Sequence, residues 1–249
     1  MVGRKLDGLS DWNNKLIQVF RTVKDSLINL IEAERKASVL FAEVETRGLI
    51  LPGKTEKKLN AEIFDLAFEL FGIRKFWHKR IVRSGKNTLL PYQENPTDLE
   101  LQENDILFFD FGPVFDDWEA DFGRTYVLGN DSRKLQLKDD VETAWHEGYS
   151  HFLANYQHIS GSELYQFTSD LALKMGWKYG NHHCGHLVGN FPHETFLGEM
   201  VSNYIHPENI DLMANLDVLG NERFWIYEIH FIDPILEIGG FFEQLMVVE

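Results

Sequence analysis

Residues 108–125 read FFDFGPVFDDWEADFGRT, and we expect the fold to bring the two ends of this stretch together. Asp110 and Asp121 lie eleven residues apart, each in an apolar or aromatic setting that is typical of a β-strand. Gly112 and Pro113 predict a turn between them. Two strands joined by a turn would bring both carboxylates together across a hairpin. Such a buried pair of like charges requires a shared proton or a cation.

Three further candidate metal ligands lie downstream, namely His186, Glu228 and Glu243. Both glutamates have apolar neighbours, where a carboxylate is unfavourable unless it is paired or ligating. One such glutamate alone is more often a solvated residue on an edge strand. Taken together, however, four carboxylates and one imidazole form a hard, oxygen-rich set that suits a pair of divalent metal ions.

The stretch from residue 181 to 194 contains four of the ten histidines of the chain. A histidine-rich surface loop is the simpler interpretation when this stretch is considered by itself. Zinc bound through Cys184 is disfavoured, because this single cysteine has no C-x-x-C partner.

The composition describes an ordinary globular protein. The 249 residues allow one large domain or two small ones, and the lack of a clear linker or repeat favours one domain over residues 1–249. A net charge of −15 argues against nucleic acid or an anionic membrane as a partner. The sequence shows neither a secretory signal nor an 18-residue apolar stretch, and its single cysteine fits a reducing compartment. We therefore expect a cytoplasmic protein.

Apolar periodicity and turn residues predict the order of secondary structure. Helices are expected at 13–47, 55–71, 134–158 and 162–175, so that an N-terminal helical segment of about 13–72 belongs to the domain. Strands are expected at 79–83, 105–111, 120–128, 224–232 and 241–248. A turn is expected at 84–87, and loops at 88–104 and 195–221.

In these local contexts the order Asp, Asp, His, Glu, Glu resembles the methionine aminopeptidase, Xaa-Pro peptidase and creatinase superfamily. The matching segments are DFG at 110–112, DFGRT at 121–125, CGHLVG at 184–189 with HE at 193–194, and the two glutamates Glu228 and Glu243. The segment from Trp77-His78 to Asn87-Thr88 is similar to the beginning of the catalytic half of Xaa-Pro peptidases. The resemblance covers roughly residues 25–248. It implies the α+β pita-bread fold, a curved antiparallel sheet covered by helices.

The resemblance also implies a dinuclear metal centre. His186 and Glu228 would bind one ion, Asp110 would chelate the other, and Asp121 and Glu243 would bridge the two. A hydroxide bridging the ions would attack a peptide carbonyl. Manganese is the expected metal, with cobalt, zinc and iron as alternatives.

Three residues have catalytic roles implied by the same resemblance. Glu228, or a neighbouring carboxylate, would accept the proton of the attacking water. His193 would contact the substrate and help to stabilise the tetrahedral intermediate. His182, four residues before the ligand histidine, would lie near the substrate. Arg124 and Thr125 match an Arg-Thr pair of the family, with Arg124 expected to act as a supporting ion-pair partner.

Some features depart from the family pattern. Leu187 follows the ligand histidine where glycine is usual, and we expect it to narrow the pocket. The family's loop histidine is missing from residues 91–95, where Tyr92 or Gln93 could replace it. The separate N-terminal domain of Xaa-Pro peptidases is not expected here either, although the local motifs are closer to that branch.

The leading hypothesis is therefore a metallopeptidase of the Xaa-Pro dipeptidase or aminopeptidase type, which cleaves near the N-terminus of a peptide. One alternative is hydrolysis of a non-peptide C–N bond in a small amide, because a fold does not fix a reaction. Another is a binding module that has lost catalysis. The sequence leaves open whether the chain forms a homodimer.

Overall fold

A computed structural model describes residues 7–193 and 200–248, with side chains of the first helix described from residue 25 onward. The described part contains four α-helices: α1 (Asp7–Thr46), α2 (Glu56–Phe71), α3 (Ser132–Asn155) and α4 (Gly161–Lys174). Two short 3-10 helices occur at Gly85–Leu89 and Val201–Asn203.

Seven strands form one antiparallel sheet: β1 (Ile81–Ser84), β2 (Ile106–Phe111), β5 (Phe122–Val127), β6 (Lys178–Tyr179), β7 (Gly185–Val188), β8 (Phe224–Asp233) and β9 (Ile238–Met246). The order across the sheet is β1-β2-β5-β9-β8-β6, and β7 pairs with the opposite end of β8 from β6. Two shorter strands, β3 (Val114–Phe115) and β4 (Trp118–Glu119), form a separate hairpin.

The alternation of side chains along β2 decides which face carries chemistry. Phe109 and Phe111 pack into the core formed with α1 and α2, where the Phe41 ring lies 5.9 Å and 5.7 Å from theirs. Because successive side chains of a strand point to opposite faces, Asp110 points away from these helices.

The other helical pair covers the same face of the sheet at β8 and β9. Trp145 of α3 donates a hydrogen bond from Nε1 to the Tyr227 carbonyl at 2.9 Å, and Tyr227 and Ile229 belong to the core formed with α3 and α4. Because Gly148 of α3 has no side chain, the Tyr227 ring can pack against the helix. A Cβ there would lie 2.0 Å from Tyr227 Oη. Glu228, between the two core residues, therefore points to the face that the helices leave open.

The structure confirms the predicted helices and strands, with shifts at their ends. The last strand begins at Ile238, three residues before the predicted start. Gly239 lies in this extension. Its lack of a side chain lets the Thr88 carbonyl approach the strand, because a Cβ there would lie only 2.2 Å from the Thr88 carbonyl oxygen. The predicted turn at 84–87 is wrong, since this segment forms the 3-10 helix Gly85–Leu89.

The connection between Asp110 and Asp121 is more elaborate than the predicted single turn. It contains the β3–β4 hairpin, whose tip is formed by Asp116 and Asp117 at φ values of 50° and 65°. Asp121 lies one residue before β5 and outside its hydrogen-bonded register. The two aspartates nevertheless come together, as described below.

None of the described helices combines the length and the apolar character needed to cross a bilayer.

Glu34 is an acidic residue that α1 buries against β9. Its Oε1 accepts a hydrogen bond from the Leu245 amide at 3.1 Å, while its Oε2 lacks a hydrogen-bond partner among the described residues. Burial raises the pKa of Glu34 to about 8, although the Leu245 amide and the Arg124 charge oppose the shift. The side chain is therefore mostly protonated at neutral pH.

Replacing Glu34 with glutamine should stabilise the protein at pH 9 relative to the wild type, but not at pH 5. The native state binds the Glu34 proton more tightly than the unfolded state, so wild-type stability falls as pH rises from about 4.5 to about 8. The difference should reach a few kcal/mol at the upper end. Denaturant unfolding of both proteins at the two pH values measures it. Glu32→Gln, on the exposed side of the same helix, is the control. A Glu34→Gln advantage that does not change with pH would contradict the prediction.

Candidate metal centre

Four neighbouring strands bring the candidate carboxylates into one row. Asp110 of β2 pairs with Gly123 of β5, Gly123 pairs with Glu243 of β9, and Glu243 pairs with Glu228 of β8. Directly paired residues of a sheet share a face, so the three carboxylates point the same way. Gly123 makes room in this row for the Phe241 ring and for Glu243, because a Cβ there would lie 2.5 Å from Phe241 Cδ1 and 2.9 Å from Glu243 Cβ. Asp121, just before β5, has a ligand atom within 4.8 Å of those of Asp110 and Glu243.

His186 of β7 completes the predicted set. Its Nε2 lies 3.1 Å from Asp121 Oδ2 and 3.9 Å from Glu243 Oε1. Its Nδ1 donates a hydrogen bond to the Leu187 carbonyl at 2.8 Å, which leaves Nε2 free to face the carboxylates. All five predicted ligands, Asp110, Asp121, His186, Glu228 and Glu243, thus line one cavity.

A second imidazole, His78, lies in the same cluster. Its Nε2 is 3.0 Å from Asp121 Oδ1 and 3.5 Å from Asp110 Oδ1, and its side chain is 7% exposed. No pattern in the sequence indicates a role for this residue. It lies between α2 and β1, outside any predicted element, and only the folded structure brings it to the aspartates.

Burial and mutual repulsion dominate the electrostatics of the cluster. Burial raises the pKa of Asp110 to about 7 and, together with the Asp121 charge, raises the pKa of Glu243 well above its usual range. Burial would also raise the pKa of Asp121, but His78 and His186 outweigh it and hold this pKa below its usual range. Burial opposes charge on the imidazoles too, yet Asp121 raises the pKa of each to about 9. The carboxylates therefore require cations, either protons or metal ions.

The donor atoms fit divalent metal ions. Two groups of side chains, His78 with Asp110 and Asp121, and Asp121 with His186 and Glu243, each have ligand atoms within 4.8 Å of one another. Glu243 Oε2 is buried without a hydrogen-bond partner in the described part of the chain. A buried carboxylate oxygen of this kind is expected where a metal ion completes its coordination.

The cluster lies in a cavity of about 710 Å³. Aromatic and apolar side chains form much of its wall, including Trp77, Tyr92, Leu187 and Tyr204. The phenolic oxygen of Tyr92 accepts a hydrogen bond from the Lys79 amide at 3.3 Å, and its ring lies 5.7 Å from that of His78. Tyr92 and Gln93, the suggested replacements for the loop histidine, thus both line the cavity.

His193 also lines the cavity, and a buried carboxylate holds it there. Its Nδ1 contacts Glu119 Oε2, and its amide donates to Glu119 Oε1 at 3.3 Å. The Gly189 amide donates to Glu119 Oε2 at 3.1 Å. Glu119 lies at the end of the β3–β4 hairpin and was not singled out from the sequence. The neighbouring Glu194 lies outside the described residues.

Two adjacent histidines lie differently with respect to the cluster. His182 is exposed at the cavity wall. His183 is closer to the candidate ligands, because its Nδ1 lies 2.6 Å from Glu228 Oε1. Since sequence spacing alone does not tell two consecutive histidines apart, His183 was missed.

Arg124 supports the cluster from behind. It lies between the rings of Phe122 and Phe242, 3.7 Å and 3.8 Å from their centroids. Its guanidinium donates hydrogen bonds at 2.8 Å to the carbonyls of Gly123 and Glu243. Arg124 thus fixes β5 against β9 through backbone oxygens, which differs from the expected ion-pair role.

Comparison with known proteins gives one consistent result. The profile described as Metallopeptidase family M24 matches residues 29–248. A Xaa-Pro dipeptidase of Lactobacillus helveticus is 29% identical over 147 residues, which cover 58% of this chain and 39% of that protein. A Xaa-Pro dipeptidase of Pyrococcus horikoshii is 23% identical over 189 residues, covering 72% and 53%. The chain spans about half the length of the curated relatives it matches.

Solved structures agree on the fold. A dipeptidase of Pyrococcus horikoshii superimposes with a TM-score of 0.71 at 26% identity, covering 94% of this chain and 61% of that one. A Thermotoga maritima X-Pro aminopeptidase gives a TM-score of 0.68 at 19% identity, covering 89% and 58%. The α+β pita-bread fold expected from the sequence is thereby confirmed.

Proposed function

The chain belongs to metallopeptidase family M24, and on that basis we propose that it uses two divalent metal ions to cleave a peptide bond near the N-terminus of Xaa-Pro substrates. The observation that carries the proposal is the pair of ligand groups that share Asp121 in one cavity. The named relatives are Xaa-Pro dipeptidases and a putative Xaa-Pro aminopeptidase.

Each carboxylate has a proposed role in holding the ions. His186 and Glu228 would hold one ion, Asp110 would hold the other, and Asp121 and Glu243 would be shared by the two. When bound, two such ions supply a Lewis acid for a peptide carbonyl and an activated water near neutral pH. Manganese is the proposed metal, with cobalt, zinc and iron as alternatives.

The other side chains of the cavity handle the substrate and its protons. Glu228 would accept a proton from the attacking water, and the His183 imidazole lies beside it, with Nδ1 2.6 Å from Glu228 Oε1. His193, held by Glu119, donates a hydrogen bond to the oxygen that becomes negative in the transition state. His182, on the cavity wall, lies where it can contact the substrate.

Hydrolysis of a non-peptide amide is the second candidate. It is favoured by Tyr92, which lines the cavity in the loop where the family commonly has a histidine and places a phenol there instead of an imidazole. Leu187 adds no such support, because its side chain is buried in the core formed with α3 and α4.

A substrate panel tests the proposal. Metal-stripped protein is assayed against Xaa-Pro dipeptides, longer Xaa-Pro peptides, Met-initiated peptides and small amides, with Mn, Co or Zn added back singly. Metal-restored cleavage of a Xaa-Pro class is expected. Turnover of small amides alone would replace the proposal with the second candidate. Binding of two ions without any turnover would leave a binding module.

Replacing Glu119 with glutamine should lower kcat by about 10- to 100-fold with little change in KM. Glutamine can still accept a hydrogen bond, but its neutral amide orients the His193 imidazole less strongly than the carboxylate does. Steady-state kinetics on the preferred substrate measures both constants. Asp117→Asn removes a carboxylate from the tip of the same hairpin and should leave both constants unchanged. An increase in KM alone would assign Glu119 to substrate binding instead.

The proposed environment is the cytoplasm, and the proposed partner is the peptide or small-amide substrate. The one cysteine, Cys184, is buried and free, which suits a reducing compartment. The net charge of −15 again argues against nucleic acid and anionic membranes as partners.

A further inference from the structure

We propose that His78 is a sixth ligand of the metal centre, so that each of the two ions is bound by one imidazole. The inference rests on the dinuclear centre of the proposed function. It adds a ligand that is absent from the five-residue set implied by family resemblance, and it changes the donor chemistry of the half that contains Asp110.

The contacts around Asp121 are symmetric. Its Oδ1 lies 3.0 Å from His78 Nε2, and its Oδ2 lies 3.1 Å from His186 Nε2. A second carboxylate lies near each imidazole. It is Asp110 for His78 and Glu243 for His186. A carboxylate that bridges two ions has each of its oxygens beside the other ligands of a different ion. Asp121 has this arrangement.

The two imidazole rings make matching hydrogen bonds. His78 Nδ1 donates to the carbonyl of Lys79 at 2.8 Å, just as His186 Nδ1 donates to that of Leu187 at 2.8 Å. A metal-ligating histidine typically donates its second ring nitrogen in this way, which fixes the tautomer and directs the lone pair of Nε2 at the metal. In both residues that lone pair faces carboxylate oxygens, an arrangement that a cation between them stabilises.

The surrounding chain leaves space for the His78 ring. A Cβ on Gly112 would lie 2.2 Å from His78 Cδ2 and 2.3 Å from Trp77 Nε1, so this glycine allows both rings to approach β2. Trp77 fixes the segment, because its amide donates to the Gly112 carbonyl at 2.9 Å and its Nε1 donates to the Ala120 carbonyl at 3.0 Å. The His78 ring is thereby held beside the aspartates.

A nitrogen ligand on each ion changes the expected metal preference. Four carboxylates and one imidazole leave one ion with oxygen ligands only, which suits manganese. A second imidazole makes both halves better sites for cobalt, zinc or iron. The affinities of the two sites for a given metal should also become more alike, because the two ions would then have similar donor atoms.

Cobalt binding to the metal-stripped full chain tests the inference. Paramagnetic proton NMR of the dicobalt protein should show two exchangeable, strongly shifted imidazole N–H signals in the wild type and one in His78→Ala. Calorimetric titration should show two tight Co²⁺ sites in the wild type, and a second site weakened at least about 10-fold in His78→Ala. His182→Ala, which removes an exposed histidine of the same cavity, should match the wild type in both measurements.

The outcomes separate this inference from the proposed function. Two tight sites and two shifted N–H signals that persist in His78→Ala would overturn the inference and leave the dinuclear centre intact. A single site in the wild type would overturn both. If His78→Ala fails to fold, His78→Gln preserves the volume of the side chain, and the number of shifted signals in the wild type still decides the question.

Discussion

Replacing Asp121 with alanine should lower kcat/KM by at least about 1000-fold and abolish tight binding of two metal ions. Asp121 is the residue that the two candidate ligand groups share, and each of its oxygens lies about as close to an imidazole as ligands of one ion do. In the proposed centre, its loss would remove a ligand from both ions at once. Lewis-acid stabilisation of the transition state amounts to several kcal/mol, and each 1.4 kcal/mol corresponds to a factor of ten.

Metal content and kinetics measured on the same preparation check this result. Asp139→Ala, which removes an exposed carboxylate from α3, should retain both metal ions and full activity. Circular dichroism shows whether the Asp121 variant keeps its fold, which we expect because the change also removes one charge from a crowded carboxylate cluster. Near-normal activity of Asp121→Ala would refute the metal centre proposed here.

Replacing Gly185 with alanine should lower the free energy of unfolding by about 3 to 5 kcal/mol and weaken metal binding as well. Gly185 has a φ of 142°, which side-chain-bearing residues rarely adopt, and a Cβ there would lie 2.1 Å from the Ile226 carbonyl oxygen. The backbone of β7 must move to relieve this overlap. Because His186 is the next residue, its Nε2 moves away from Asp121 with the strand.

Gly220 offers a control that separates backbone strain from steric overlap. Its φ is 84°, but a Cβ there would have nothing within 4 Å. Gly220→Ala should therefore lower stability by only about 1 kcal/mol and leave metal binding intact. Denaturant unfolding and cobalt titration of both variants provide the comparison. Equal losses in the two variants would mean that the overlap at β7 is relieved without moving His186.

Much of the fold could be predicted because alternation within the strands is visible in the sequence. Phe109, Asp110 and Phe111 already place the aspartate on the face opposite two large apolar residues. Tyr227, Glu228 and Ile229 do the same in β8. Directly paired residues share a face, so the carboxylates of these strands had to converge once the strands became neighbours. Two points stay predictions: the role of these carboxylates as metal ligands and the organisation of the chain as one domain.

His78, Glu119 and His183 could not be predicted, for two physical reasons. His78 and Glu119 lie in a connecting segment and a two-residue strand, where no periodicity indicates the direction of a side chain. Their contacts are with residues 43 and 74 positions away, which only the completed sheet brings close. His183 is adjacent to a histidine with the same chemistry, and the bend of the backbone before β7 decides between them.

The row of carboxylates across four strands has a consequence for the lifetime of the chain. Asp110 and Glu243 are far apart in the sequence, yet they are neighbours of the same glycine, Gly123. Ions held between them would act as a reversible cross-link that closes a very long loop, and such a link disfavours the open states that proteases attack. Metal supply would then govern how long the protein survives degradation, in addition to how fast it works.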